Sequence, residues 1–158
     1  MTNPQSQADP DRRTEDPPAD LEECVAGLVN AVDKGMANEV APYGLTSMEF
    51  SLLRHCLEEE CTATHLAQVL PVDGSRVSRL VTGLVEKGLL RRRRLRSDRR
   101  IVMLRLSEEG RELTSHIVEK MKIYDAILTE GIGEEEMRVF MSVSARIVAN
   151  HAAMQESE

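Results

Sequence analysis

A dense group of arginines is the feature of this sequence that most directly implies chemistry. Seven fall within ten residues: Arg91, Arg92, Arg93, Arg94, Arg96, Arg99 and Arg100. Residues 71–105 hold eleven Lys or Arg against three Asp or Glu, a net charge of +8, in a chain whose net charge is -7. Charges are screened beyond about 8 Å at physiological salt, so a local basic surface decides contact. The pattern predicts a surface that binds a polyanion; a solvated charge run is the alternative interpretation.

Two helices joined by a tight turn are predicted just before the arginines. Thr62 caps the first helix, Pro71 ends it, and residues 72–75 form the turn. The apolar residues of the second helix recur with helical spacing: Val77, Leu80, Val81, Leu84 and Val85. Its other face carries the polar and basic residues Ser75, Arg76, Ser78, Arg79 and Thr82. This arrangement is typical of a helix-turn-helix whose second helix presents a polar face.

A two-stranded hairpin is predicted to follow that second helix. Gly88 ends the helix, and the run from Ile101 to Leu106 is rich in strand formers, with Val102, Leu104 and Leu106 alternating in one direction. The strands are residues 89–94 and 101–106, and the tip, residues 95–99, lies inside the arginine group. The hairpin therefore forms a basic wing beside the polar helix.

Long helices flank this central unit. The first is predicted at about 20–41, and a second at about 46–59 starts with a capping box between Thr46 and Glu49. Ser107 caps a fifth helix that runs to Gly131, and a last helix follows Gly133. The fold class is therefore mainly α with a small β wing. The terminal helices carry more apolar residues than one slender domain needs, unless they only cover the core of their own chain.

Composition excludes several classes of function. Residues 1–20 are polar and contain four prolines, which predicts a disordered arm, and no apolar run is long enough to span a membrane. A soluble, cytoplasmic protein is expected. The three cysteines show no C-x-x-C spacing and the four histidines no i, i+4 pairing, so we expect no metal site and no cofactor. No nucleophile-base arrangement or phosphate loop indicates an enzyme. An aromatic content of 3% argues against nucleic-acid binding by base stacking.

Three stretches together resemble the MarR family of winged-helix transcription regulators. They are LTSMEFSLL, HLAQVLPVDGSRVSRLVTGLVEKGLLRRR and SDRRIVMLRLSEEG, in that order and spacing. The most specific part is the series of K-G-L-L-R-R, D-R-R and L-S-E-E-G at residues 87–110, where Ser107 replaces the family's usual threonine. The wing tip departs from the family in carrying Leu95, Arg96 and Ser97 where relatives often have Pro and acidic residues.

The resemblance implies a homodimer that binds double-stranded DNA. Residues 21–44 and 107–158 would form its dimerisation helices, and residues 45–106 its winged helix-turn-helix domain. Two recognition helices would enter successive major grooves of a pseudo-palindromic operator, with the wings in the flanking minor grooves. Family members commonly act as repressors that respond to a small-molecule effector. The alternative is a winged-helix adaptor that binds protein and never DNA.

Specific side chains are predicted to contact the duplex. Ser75 lies where the free amides of a helix start suit a phosphate oxygen. Arg76 and Arg79 suit bidentate contact with guanine, with phosphate contact alone as the alternative. Ser78 and Thr82 reach phosphate or a thymine methyl. In the wing, the resemblance assigns Arg99 to the minor groove and Asp98 to holding a neighbouring arginine. Arg96 and Arg100 complete the predicted site.

Effector and redox sites are less marked in the sequence. By resemblance, an effector would lie between the dimerisation helices and the DNA-binding lobe, where the polar candidates are Arg54, His55 and His116. Each is alternatively an ordinary surface residue.

Some family members sense oxidants through a thiol near the position of Cys24, so Cys24 is a candidate redox residue. Its acidic neighbours Glu22 and Glu23 work against a reactive thiolate.

Overall fold

The computed structural model describes residues 20–95 and 97–155, and the mainly α class with a small β wing is confirmed there. The helices are α1 (Leu21–Val40), α2 (Ser47–Glu58), α3 (Ala63–Val69), α4 (Gly74–Glu86), α5 (Glu108–Leu128) and α6 (Glu134–Gln155), with a 3-10 turn at Ala41–Tyr43. The strands are β1 (Cys61–Thr62), β2 (Leu90–Arg94) and β3 (Val102–Leu106). Apart from Asp20, the predicted arm lies outside the described residues.

Side-chain caps fix where the helices begin. Thr46 accepts a hydrogen bond from the Glu49 amide, and Glu49 accepts one in return from the Thr46 amide, so the predicted capping box is present. Thr62 and Ser107 cap α3 and α5 as expected. Asp20 caps α1 through the Glu23 amide, so it belongs to the first helix. These bonds satisfy amides that have no partner within the helix.

One buried cluster holds α2, α3, α4 and the hairpin together. Its largest fully buried side chains are Phe50, Leu52, Leu53, Leu66, Leu84, Leu90, Leu104 and Ile117. Ile117 comes from α5, which packs against α2 and thereby joins the long helix to the central domain. Leu90 and Leu104 fix the inner face of the hairpin against the same cluster. The wing and α4 are therefore positioned by a common core.

The sheet has three strands in the order β1-β3-β2, all antiparallel. Leu90 pairs with Leu106 and Arg94 with Val102, which gives the predicted hairpin its register. The third strand, β1, was not predicted, because two residues are too few to show a strand period. It places Cys61 opposite Leu104 and ties the start of α3 to the wing.

The terminal helices leave apolar side chains exposed in a single chain. No residue of α6 is buried, and Val148 and Phe140 are 70% and 46% exposed. Leu21, Val25, Leu28 and Val29 of α1 are exposed as well. The interpretation that these helices merely cover their own core is therefore wrong for most of α6. No helix of the described chain has the length and apolar character needed to cross a membrane.

Candidate nucleic-acid interface

Helix α4 buries one face and exposes the other, as its sequence pattern predicts. Val77, Val81 and Leu84 are buried in the core. The predicted contact residues Ser75, Arg76, Ser78, Arg79 and Thr82 are all exposed. The apolar face fixes the helix on the domain, so its polar face is held in one orientation without being covered.

The start of α4 is already occupied by an acid of its own chain. The Asp73 carboxylate accepts hydrogen bonds from the Ser75 hydroxyl at 2.6 Å and the Arg76 amide at 2.8 Å. These two bonds, the Ser75 bond foremost, hold the pKa of Asp73 below its usual value. A phosphate at this position would have to displace the carboxylate from Ser75. The phosphate role of Ser75 stays a prediction, and the bond to Asp73 is what the sequence alone did not indicate.

A hydrogen bond joins the wing to the exposed face of α4. Residues of a strand alternate between the two faces of the sheet, so Arg92 and Arg94 share the face of the buried Leu90. The Arg92 guanidinium donates to the Thr82 hydroxyl at 2.9 Å. Thr82 itself donates to the Ser78 carbonyl at 3.0 Å, so its hydroxyl is already bonded in both directions. The strand and the helix therefore form one continuous polar surface.

The opposite face of the wing carries a second set of arginines. Arg91 and Arg93 point to that side, where Arg91 pairs in register with Arg105 of β3. Arg93 forms an ion pair with Glu60 at 2.6 Å. Within residues 20–95 and 97–155, Glu60 has the one carboxylate that lies within 4 Å of a guanidinium of the arginine group. Because of this alternation, only some of Arg91–Arg94 can face one partner together.

The wing tip is shaped by Asp98. Its carboxylate accepts a hydrogen bond from the backbone amide of Arg100 at 2.9 Å, and its carbonyl accepts one from the Ile101 amide. Asp98 thus holds the chain at Arg100 through the backbone and not, in the described residues, through a guanidinium. Arg99 and Arg100 are exposed at this turn. Arg96 lies outside the described residues.

Two further contacts fix α4 and the wing relative to the rest of the domain. Ser107 donates to the Gly88 carbonyl at 2.6 Å and accepts from the Gly110 amide at 2.9 Å. A side chain at Gly110 would overlap the backbone carbonyl of Leu89, so α5 starts directly against the turn between α4 and β2. This contact explains physically why the L-S-E-E-G stretch contains a small capping residue and a glycine.

An ion pair joins the last turn of α4 to the start of α2. Lys87 donates to Glu49 at 2.7 Å and to the Gly44 carbonyl at 2.8 Å. Burial raises the pKa of Glu49, but the bonds from Lys87 and Thr46 together outweigh it and the pKa lies below its usual value. The sequence did not indicate this pair, since its members are 38 residues apart.

The candidate effector residues do not converge on one partner. His116 on α5 contacts the Tyr43 hydroxyl through Nε2 at 2.9 Å, and the two rings meet edge to face. Arg54 is exposed and His55 half-buried on α2. No hydrogen bond or ion pair links these three within the part of the chain that the structure describes. Within the described residues, no group of three or more His, Cys, Asp or Glu side chains could hold a metal ion. Cys24 is a half-buried free thiol on α1.

Comparison with known proteins gives this geometry a context. Residues 43–101 match the model of the MarR family. The chain is 33% identical over 88 residues to YpoP of Bacillus subtilis, an uncharacterised HTH-type transcriptional regulator, and the alignment covers 55% of this chain and 62% of YpoP. This chain therefore spans somewhat less than two thirds of the length of YpoP.

Two solved structures share the fold. A putative MarR family transcriptional regulator from Listeria monocytogenes, complexed with 26mer DNA, has a TM-score of 0.76 and 21% identity, covering 85% of this chain and 90% of that one. CouR from Rhodococcus jostii RHA1, bound to p-coumaroyl-CoA, has a TM-score of 0.76 and 24% identity, covering 82% and 92%. At these identities the likeness establishes the winged-helix fold.

Proposed function

We propose that this chain, in which residues 43–101 match the MarR family model within a winged-helix fold, is a transcriptional regulator that binds double-stranded DNA sequence-specifically as a homodimer. The observation that carries the proposal is the surface formed by the exposed face of α4 and the exposed arginines on the α4 side of the wing. We call it the α4-wing surface: Arg76, Arg79, Arg92, Arg94 and Thr82. The proposed partner, genomic DNA, implies a cytoplasmic location.

The charges of this surface suit a phosphate backbone. Arg76, Arg79 and Arg94 are exposed and, within residues 20–95 and 97–155, have no carboxylate within 4 Å. Their charge is therefore available to phosphates, whose neutralisation releases condensed counterions and favours binding. The Arg92–Thr82 bond holds strand and helix together before DNA arrives, so less ordering is needed on binding. In this account α4 reads bases in the major groove and the wing tip, with Arg99 and Arg100, enters the minor groove.

The homodimer is supported by the exposed apolar residues of the terminal helices. A groove of about 660 Å³ lies between α1 and the segment from the end of α5 to the start of α6, and Leu28, Val32, Ile132 and Phe140 line it. Exposed apolar grooves are a feature of protein–protein interfaces and of ligand sites, and this one supports pairing with a second copy of the chain. A two-fold dimer would place two α4-wing surfaces on one duplex, so a pseudo-palindromic operator is bound at both half-sites together.

Repression and control by a small molecule complete the proposal. CouR, which shares the fold, was crystallised with p-coumaroyl-CoA, so the fold accommodates an organic ligand. In this chain the effector candidates remain Arg54, His55 and His116. An effector would act by binding better to dimers whose two α4 helices do not match the operator spacing.

A matched pair of variants tests the DNA interface. Arg94→Ala removes a cation from the α4 side of β2, whereas Arg91→Ala removes one from the same strand on the opposite face. With a fluorescent duplex from the chain's own promoter region, we expect Arg94→Ala to weaken binding several-fold, the effect of roughly one phosphate contact, and Arg91→Ala to leave it near wild type. Equal losses would contradict the assignment of faces. Failure of the wild-type chain to retain any duplex at low salt would instead favour the adaptor.

A further inference from the structure

Two cysteines five residues apart in the sequence lie next to each other in the fold. Cys56 is on the last turn of α2 and Cys61 is the first residue of β1, and their Sγ atoms are 3.3 Å apart. Both are buried free thiols. A disulfide has an S–S bond of about 2.05 Å, so the two sulfurs need to approach by only about 1.3 Å to bond.

The pair lies beside a polar cleft that opens to solvent. Cys56 is one of the residues that line this cleft, which has a volume of about 430 Å³. Its other walls include Glu59, Glu60, Arg91 and Arg105. A cleft of this size and polarity admits water and small polar oxidants as far as Cys56, whereas Cys61 is not among the residues that line it. Cys24 on α1 has no second cysteine within hydrogen-bonding distance among the described residues.

The two thiols are electrostatically unequal. The hydrogen bond between them lowers the pKa of Cys61, although burial and the nearby Glu59 carboxylate oppose that shift. The same hydrogen bond, together with burial, raises the pKa of Cys56. The hydrogen bond thus favours loss of the first proton from this pair, and Cys61 is the more acidic of the two thiols. The thiolate is the nucleophile in reactions of cysteine with oxidants.

We propose that Cys56 and Cys61 form a thiol–disulfide modification site for oxidants of the hydroperoxide class. One cysteine of the pair attacks as its thiolate, taking one peroxide oxygen and breaking the O–O bond, which leaves a sulfenic acid on that cysteine and releases water once the leaving oxygen is protonated. The sulfur of the other cysteine then attacks the sulfenic sulfur, its proton leaves with the hydroxyl, and a second water is released. In sum, two thiols and one hydrogen peroxide give one disulfide and two waters. A dithiol reductant reverses the change by exchange.

The position of this bond links it to the α4-wing surface. Cys61 pairs with Leu104 of β3, and its neighbour Thr62 both pairs with Met103 and caps α3. A disulfide would therefore fasten the end of α2 to β1, which pairs with the wing strand β3 and leads directly into α3, the first helix of the helix-turn-helix. We expect the oxidised chain to bind its operator at least about fivefold more weakly, the lower end of typical coupling between two sites. This loss of operator affinity rests on the proposed function, whereas formation of the disulfide does not.

Mass spectrometry of the full chain tests the chemistry without reference to DNA. Trypsin leaves both cysteines in the single peptide spanning residues 55–76, whereas Cys24 falls in another peptide. After hydrogen peroxide treatment of the reduced protein, that peptide should be lighter by two hydrogens, and dithiothreitol should restore it. If both cysteines of that peptide can still be alkylated after treatment, or if the peptide is cross-linked to another chain, the proposal is overturned. The unmodified chain is used, so the result does not depend on whether a variant folds.

The regulatory step has its own measurement. Duplex affinity is compared before and after peroxide for the wild type, Cys56→Ala and the matched control Cys24→Ala. We expect the wild type and Cys24→Ala to lose affinity on oxidation and Cys56→Ala to be insensitive. A confirmed disulfide with unchanged affinity would refute the regulatory step. A reduced chain that binds no duplex would refute the proposed function and leave the mass result standing.

Discussion

The ion pair between Lys87 and Glu49 allows a quantitative prediction about how α4 is held. Replacing Lys87 with Met removes a charged hydrogen bond of 2.7 Å from a carboxylate whose side chain is only 11% exposed. Glu49 keeps the bond from the Thr46 amide at 2.9 Å. A hydrogen bond to a charged group contributes about 1.5–3 kcal/mol, and because Lys87 is 39% exposed we place the loss at the low end, about 1–2 kcal/mol.

The pH dependence of that loss follows from the pKa of Glu49. In the wild type this pKa lies below its unfolded value, so the stabilisation is fully present above the unfolded value of about 4.3 and disappears as the pH falls through the folded value. In Lys87→Met, the bond and the charge of Lys87 no longer oppose the effect of burial on Glu49, so the pKa of Glu49 rises. The difference in stability between the two proteins should therefore be full at pH 7 and should shrink below about pH 4.

Thermal unfolding of the two proteins at both pH values measures this difference. A loss of about 1–2 kcal/mol corresponds to a Tm lowered by roughly 2–8 °C in a chain of this size. Glu49→Gln, which keeps the shape and removes the charge, completes a double-mutant cycle with Lys87→Met. Equal stability of Lys87→Met and wild type at pH 7, or a loss of the same size in acid, would refute the reasoning.

Three further predictions concern the site and its scaffold. Gly110→Ala should destabilise the chain by about 2 kcal/mol or more, because its new methyl overlaps the Leu89 carbonyl, and urea unfolding with Gly27→Ala as the unobstructed control measures this; a loss no larger than that of the control would contradict the close approach. Arg99→Ala should weaken operator binding several-fold with little change in Tm, and a gel-shift titration that shows unchanged affinity would remove Arg99 from the interface. Arg76→Ala should relax preference at one base position per half-site, as selection from randomised operators would reveal, whereas uniform weakening across all sequences would identify a phosphate contact.

Local features of this fold were predictable from the sequence. The caps at Thr46, Thr62 and Ser107 and the two faces of α4 depend on residues within one or two turns, so their spacing in the chain reports them directly. The alternation of Arg91–Arg94 likewise follows from the period of a strand. For the same reason the polar face of α4 could be assigned in advance.

Contacts between distant segments were not predictable in this way. Lys87 and Glu49 are separated by 38 residues, and Arg93 and Glu60 by 33. Each pair forms only because the core brings α4, α2 and the wing together. Cys56 and Cys61 are close in sequence, but their proximity depends on the turn after α2 and on β1, which is too short to show a pattern. The carboxylate of Asp73 at the start of α4 was missed because the segment showed only a turn signal.

The salt dependence of duplex binding tests the central claim most directly. For the wild type, the logarithm of the observed association constant should fall linearly with the logarithm of salt concentration. Alanine at Arg76, Arg79 or Arg94 should reduce the slope by about one for each lost phosphate contact, unless the residue reads a base, and alanine at Arg91 or Arg105 should leave it unchanged. Slopes that fall equally for both faces, or wild-type binding that does not respond to salt, would contradict the α4-wing surface as the site of DNA binding.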